Sequence, residues 1–427
     1  MKKLILASLL LISNASSAQN LTPEEKKIID NVRTQMPQSL QLLEDIVNIN
    51  SGTLNVAGVR KVGDVLAKQF EDIGFTTTWI SLPDSLKRAG HLVASKTGSK
   101  GKKLFLIGHL DTVFEPDMRA NPYRKLNATT ATGQGVNDMK GGDIIILAAL
   151  QGLHNAGLLN DVTITAYFTG DEEKTGVPIH VSRSDFIERA KQSDIALAFE
   201  TAHGLNTVAT ARRGSSGWKL KTYGQQAHSS GIFNNTYGAI YEASRIVNTF
   251  REQLSKEKYL TFNPGIFAGG SELVYDSANL RADVSGKTNI ISPTAIVQGD
   301  LRFLTDKQKQ AARVKMRAIA TTNNLPGTRA EISFTDNIPG MEPTPGNTRL
   351  LAVLNKVSTD LGFGATKAGD PGSRGAGDIS YIAKYVDCLD GLGASGAGAH
   401  APGETINLKE FPLLVQRAAL LIYRLTR

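Results

Sequence analysis

Cysteine occurs once in the 427 residues, as Cys388. A single thiol rules out an internal disulfide and a cysteine-based metal cluster. Its place in the apolar stretch Tyr385–Leu392 fits a buried structural residue. Long apolar runs are also missing. Leu4–Ile12, near the amino terminus, is too short to anchor a chain across a bilayer. Concentrated basic charge is missing as well. Lys and Arg number 48 against 40 Asp and Glu, a formal charge of +8. That excess is spread along the chain rather than gathered in a run. The distribution is compatible with anionic substrates, a solvated basic surface explains it equally well, and no nucleic-acid partner is expected. No internal repeat and no low-complexity tract is present.

What is there is an ordinary globular composition, 41% hydrophobic and 21% charged, on a chain long enough for two domains. Lys2 and Lys3, the apolar Leu4–Ile12, and the small residues Ser16, Ser17 and Ala18 form the pattern of a signal peptide over 1–18. The mature protein is therefore expected to be exported, periplasmic or secreted, with no membrane anchor. Helical spacing over 22–50 and 56–73 breaks at Ser51-Gly52. Short apolar runs then alternate with helical segments. Leu104–Ile107, Val162–Phe168 and Ile195–Phe199 are such runs, and Asp143–His154 reads as a buried helix. This alternation predicts an α/β fold with a mainly parallel sheet sandwiched by helices. Near Gly214 the pattern changes. Strictly alternating strands such as Trp218–Tyr223 and Ile296–Phe303, with helices over about 237–254 and 306–320, predict an α+β two-layer domain. A Pro/Gly-rich stretch from Pro339 to Gly346 follows it. The expected organisation is a discontinuous catalytic domain, 19–213 and 336–427, with the second domain, 214–335, inserted into it.

The chemistry lies at the ends of the apolar runs. Leu104–Ile107 leads into Gly108-His109-Leu110-Asp111. Val162–Phe168 leads into Thr169-Gly170-Asp171-Glu172-Glu173, and Ile195–Phe199 into Glu200. In an open α/β sheet, sites form beyond the carboxyl ends of the strands. Asp138, in the glycine-rich turn before the Asp143–His154 helix, and His400, in a glycine-dense loop, add two more candidates. Each alone has a bland reading: a turn pair, a solvated charge run, an acid complementing a helix dipole, a loop histidine. Their coincidence at strand ends does not. Mixed His and carboxylate donors favour zinc or a similar ion over calcium or magnesium.

These residues stand in a pattern that resembles the M20 family of co-catalytic metallopeptidases, in its glutamate carboxypeptidase branch. The resemblance spans nearly the whole mature chain. It is carried by Gly-His-Leu-Asp-Thr-Val (108–113), Gly-Val-Asn-Asp-Met-Lys-Gly-Gly (135–142) and Thr-Gly-Asp-Glu-Glu-Lys (169–174). Phe199-Glu200-Thr201, Ala227-His228-Ser229 and His400 follow in order. It implies that His109 and Glu200 hold one metal, Glu173 and His400 the other, and that Asp138 bridges them. Two divalent ions, zinc above all, are the implied cofactors. Asp111 is implied to hydrogen-bond the His109 imidazole from behind, and Glu172 to be the general base toward the water shared by the metals.

The inserted domain resembles the family's dimerisation or lid domain. The resemblance implies a homodimer in which His228 reaches the partner's active site and donates to the oxyanion. Asn289 and Arg302 fall where the family binds substrate, and an arginine there suits a terminal carboxylate. Gly375-Ala376-Gly377-Asp378 resembles the glycine-rich turn facing the substrate. Glu331–Met341 departs from the pattern, holding no Lys or Arg where the branch has basic residues. The implied activity is a metallocarboxypeptidase acting on a peptide or N-acyl amino acid with a free carboxylate. An N-acyl-amino-acid deacylase of the same family is the alternative. A two-metal phosphoesterase needs a basic phosphate loop that is not found. A non-enzymatic scaffold predicts a lost ligand, and none is missing.

Overall fold

The computed structural model describes residues 21–427. The segment 1–18, read above as a signal peptide, lies outside the described residues. Among those described, no helix is long and apolar enough to cross a membrane.

The apolar runs become the centre of a six-stranded sheet. Its order is Thr76–Ile80, His91–Lys96, Val162–Thr169, Lys100–His109, Ile195–Ala198, Asp387–Leu389. The last four strands pair in parallel and the first two pairings are antiparallel, so the sheet is mainly parallel. Side chains alternate across the central strand. Leu104 and Leu106 join one core, with the helices Pro23–Val47, Lys140–Asn155 and Phe411–Leu425. Phe105 and Ile107 face the other, with Phe186, Ile379, Tyr381 and Cys388. Both faces are thus apolar and covered, which is why these strands read as continuous hydrophobic runs. Lys140–Asn155 is buried over most of its surface, as its sequence, apolar on all sides, requires. Pro23–Val47 starts at a capping box between Thr22 and Glu25.

A second core belongs to a four-stranded antiparallel sheet, ordered Thr261–Gly270, Thr294–Phe303, Gly214–Gly224, Thr328–Asp336. Trp218 and Leu220 are buried while Lys219 and Lys221 are exposed, so one face packs and the other does not. The helices Gly238–Leu254 and Asp306–Thr321 cover the packed face. The chain crosses between the two units on adjacent segments: Arg212 and Met341 exchange both backbone hydrogen bonds, at 2.9 and 3.0 Å. A hairpin, Glu272–Asp276 with Arg281–Ser285, extends from this domain. Its short, polar, mostly exposed strands gave no pattern to expect it from.

Candidate metal centre

Three strand ends deliver the central groups. His109 ends Lys100–His109 and is buried, 1% exposed. Glu172 and Glu173 follow Val162–Thr169, and Glu200 follows Ile195–Ala198. Asp138 comes from the turn before Lys140–Asn155, and His400 from a loop where its φ is +66°. The His109 Nε2 lies 3.4 Å from one Asp138 oxygen and 3.9 Å from Glu200. The His400 Nε2 lies 3.1 Å from the other Asp138 oxygen and 3.2 Å from Glu173. Two groups result, His109–Asp138–Glu200 and Asp138–Glu173–His400, each with its donor atoms within 4.8 Å of one another. They share Asp138, one oxygen facing each histidine.

The donor chemistry fits two divalent cations. His109 Nε2, which faces Asp138 and Glu200, and Glu173 Oε1 are buried without a hydrogen-bond partner among the described residues. The carboxylates also crowd one another. Burial, reinforced by Glu200, pushes Glu172 well above the usual carboxylate range. Glu200 is pushed up to about 8, first by burial, and Glu173 is raised chiefly by burial. His400 is pushed up to about 11 by its contacts with Asp138 and Glu173. A buried acidic cluster that strains to take up protons is one that cations neutralise.

A family model described as peptidase family M20/M25/M40 matches residues 105–424. The chain belongs to this family. It is a metallopeptidase-family hydrolase. It is 28% identical over 391 residues to carboxypeptidase G2 of Pseudomonas sp. (strain RS-16), covering 91% of this chain and 89% of that protein. It is 23% identical over 393 residues to a succinyl-diaminopimelate desuccinylase of Variovorax paradoxus (strain S110), covering 89% and 96%. The fold is similar to that of aminopeptidase PepT from Bacillus cereus ATCC 10987, with a TM-score of 0.74 at 18% identity, covering 91% and 98%.

Around the candidate metal ligands lies a supporting layer that the sequence pattern only partly marked. The His109 Nδ1–H donates to the backbone carbonyl of Asp111, at 3.0 Å, whereas the nearer carboxylate oxygen is 3.5 Å away. That carboxylate instead receives the backbone N–H groups of Glu172 and Glu173, at 3.0 and 3.1 Å, and the Thr53 hydroxyl at 2.6 Å. Glu404, fully buried, receives the N–H groups of Gly135, Asn137 and Asp138, at 2.9, 2.7 and 2.8 Å. Arg183, also fully buried, joins Asp171 at 2.5 Å to Asp378 at 2.8 Å, and Thr169 donates to Asp378 at 2.7 Å. This ties the Glu172 loop to the turn after Gly377. Glu404 and Arg183 lie outside the motifs, and no local signal marks them.

The residues expected on the inserted domain stand apart from this centre within the protomer. His228 is exposed, and its Nε2 lies 3.4 Å from the Asn289 side-chain nitrogen, so these two meet each other. Arg302 pairs through Nε with Asp300 at 2.8 Å, and among the described residues neither Nη atom meets an acceptor. Cys388 is buried, donating to the Val386 carbonyl at 3.3 Å. His91 is buried too, its Nε2 3.0 Å from the Ser182 carbonyl. Both are structural.

Proposed function

We propose that the protein is an exported, homodimeric di-zinc carboxypeptidase that hydrolyses the amide bond next to a C-terminal amino acid. One observation carries this reading. Glu172, half-buried and with a carboxylate free of hydrogen bonds among the described residues, stands beside two donor groups that share Asp138. His109, Asp138 and Glu200 would hold one ion, and Asp138, Glu173 and His400 the other. When bound, the two ions supply Lewis acidity to the scissile carbonyl and make water a nucleophile near neutral pH.

The chain's own residues do the rest. Asp111 fixes the Glu172 and Glu173 N–H groups, so that the two neighbouring carboxylates diverge. Glu172 takes the proton from the attacking water and returns it to the leaving nitrogen. His228 of a second copy, brought by the inserted domain, donates to the developing oxyanion. The free Nη atoms of Arg302, with Asn289, hold a substrate carboxylate. The likeness to a carboxypeptidase over 91% of the chain supports this choice of reaction. Likeness to a desuccinylase favours a second reading, a deacylase removing an acyl group from an amino acid.

The test is turnover by the zinc-loaded protein on N-acyl-glutamates, N-acyl hydrophobic amino acids, dipeptides and carboxyl-blocked controls. Carboxypeptidase action requires cleavage of peptides with a free terminus and failure on the blocked ones. Cleavage confined to short N-acyl amino acids selects the deacylase, and cleavage of blocked peptides overturns both.

A further inference from the structure

The loop from Pro371 to Gly377 carries a cation that forms no ion pair with a carboxylate among the described residues. Arg374 is half-buried there, and one Nη donates to the carbonyl of Thr201, the residue after Glu200. Its guanidinium lies against Gly391, where an added Cβ would come within 2.8 Å of Nη2. Neighbouring arginines are committed. Arg212 pairs with Asp390 and donates to the Gly375 and Ala376 carbonyls. Arg213 is engaged through its Nη atoms, which donate to Thr261 and to the Gly372 carbonyl, while its buried Nε has no partner among the described residues. Among the described residues Arg374 forms no ion pair, and its Nε and Nη1 meet no protein acceptor.

Burial costs a guanidinium unless an anion or acceptors compensate it. Burial indeed holds Arg374 below its ordinary value, opposed first by Asp390. Glu200 and Asp138 also act on its charge, which places it near the centre, but bound cations would take those carboxylates for themselves. The cation is then left to a ligand.

We propose that Arg374 is a specificity-determining residue that takes a carboxylate of the substrate beside the metal centre. This rests on the reading of the protein as an amide hydrolase acting next to a free carboxylate. Two unused donors on a planar fork suit a carboxylate. Arg302 would approach from the inserted domain and Arg374 from the catalytic one. The segment Glu331–Met341, without Lys or Arg, offers no competing cation. Substrates carry this chemistry in two places, the α-carboxylate and an acidic side chain.

Three ligands separate them: N-acetyl-glutamate, N-acetyl-glutamine, and the α-amide of N-acetyl-glutamate. KM and kcat are measured for wild type, Arg374→Gln and Arg374→Lys, each with its metal content. A ligand that is not turned over is ranked by its competitive Ki. The Gln variant is expected to raise KM or Ki at least about tenfold more for the two ligands holding the carboxylate that Arg374 reads than for the one lacking it. Lys, which keeps the charge, should recover part of the loss. A penalty shared equally by all three ligands means that Arg374 merely supports Thr201, and overturns the inference, as does no penalty at all. A wild-type protein with both metals that cleaves no free-carboxylate substrate overturns the underlying reading, and the inference with it.

Discussion

Glu404 and Asp138 are 266 residues apart in sequence, yet a Glu404 oxygen accepts the Asp138 backbone N–H at 2.8 Å. The same carboxylate takes the N–H groups of Gly135 and Asn137, so one buried side chain sets the path of the turn that presents Asp138, the residue common to the two candidate metal groups. Replacing Glu404 with Ala leaves three N–H groups without their acceptor and lets that turn relax. The expected result is metal affinity weaker by about 10–100-fold, the range for groups that orient ligands without touching the ion. Titration of the metal-stripped variant with zinc measures it. Wild-type affinity would show that Asp138 is held by other contacts.

Glu172→Gln separates proton transfer from metal binding. The side chain keeps its size and loses its basicity, while Asp111 still holds the backbone N–H of residue 172. Turnover is expected to fall by at least about 10²–10⁴-fold, the usual worth of a general base. Both metals should remain by elemental analysis. Glu173→Gln should instead reduce the metal count, because that carboxylate faces His400 at 3.2 Å.

The contrast between these residues explains what was legible in the sequence. His109, Glu173 and Glu200 stand at the ends of apolar runs that become central strands, so their convergence follows from the fold class. Glu404 and Arg183 act across separations of 266 and 195 residues, and nothing near them in sequence announces their partners. Arg374 precedes the glycines of Gly375-Ala376-Gly377, whose pattern marks a turn, and no residue near it in sequence marks its charge. Asp111 was legible as a supporting residue, but its direction was not. A carboxylate two residues after a histidine can face the ring or the next loop, and here it holds the N–H groups of that loop.

Arg183 should matter for folding as much as for catalysis. Against the cost of burial, Arg183 and then His91 hold the Asp171 carboxyl down at about 2, from 3.8. A depressed acid stabilises the fold above its unfolded value. That contribution is present above about pH 4 and is lost as pH falls toward 2. Arg183→Met leaves Asp171 and Asp378 buried without their cation, which is expected to cost about 3–5 kcal/mol. Urea unfolding at pH 7 measures the loss. In acid the gap between variant and wild type should narrow, and a gap independent of pH would remove the ion pair as its cause.

His400 gives the metal site its own pH dependence. In metal-free protein its contacts with Asp138 and Glu173 raise it from 6.5 to about 11, so it carries a proton across neutral pH. A cation must displace that proton to reach the nitrogen. Apparent affinity at the Asp138–Glu173–His400 group is therefore expected to rise with pH up to about 11, with proton release on binding. The sign for stability is opposite. A raised group stabilises the metal-free fold fully below 6.5 and loses that effect as pH climbs through about 11. Calorimetric zinc titrations in buffers of different ionisation enthalpy count the protons. Binding without proton release would show that His400 is already neutral.

Within one protomer the ring nitrogens of His228 meet Ser230 and Asn289 rather than the candidate metal ligands. If a second copy supplies it, His228→Ala and Glu172→Gln each inactivate a homodimer for a different reason. A mixed dimer contains one site with an intact Glu172 facing an intact His228. Equal amounts of the two variants, unfolded together and refolded, should form half mixed dimers, each with one restored site in two. Activity should return to about a quarter of wild type, while either variant refolded alone stays near zero. If His228 acts within its own chain, every chain in the mixture carries one lesion and no activity returns.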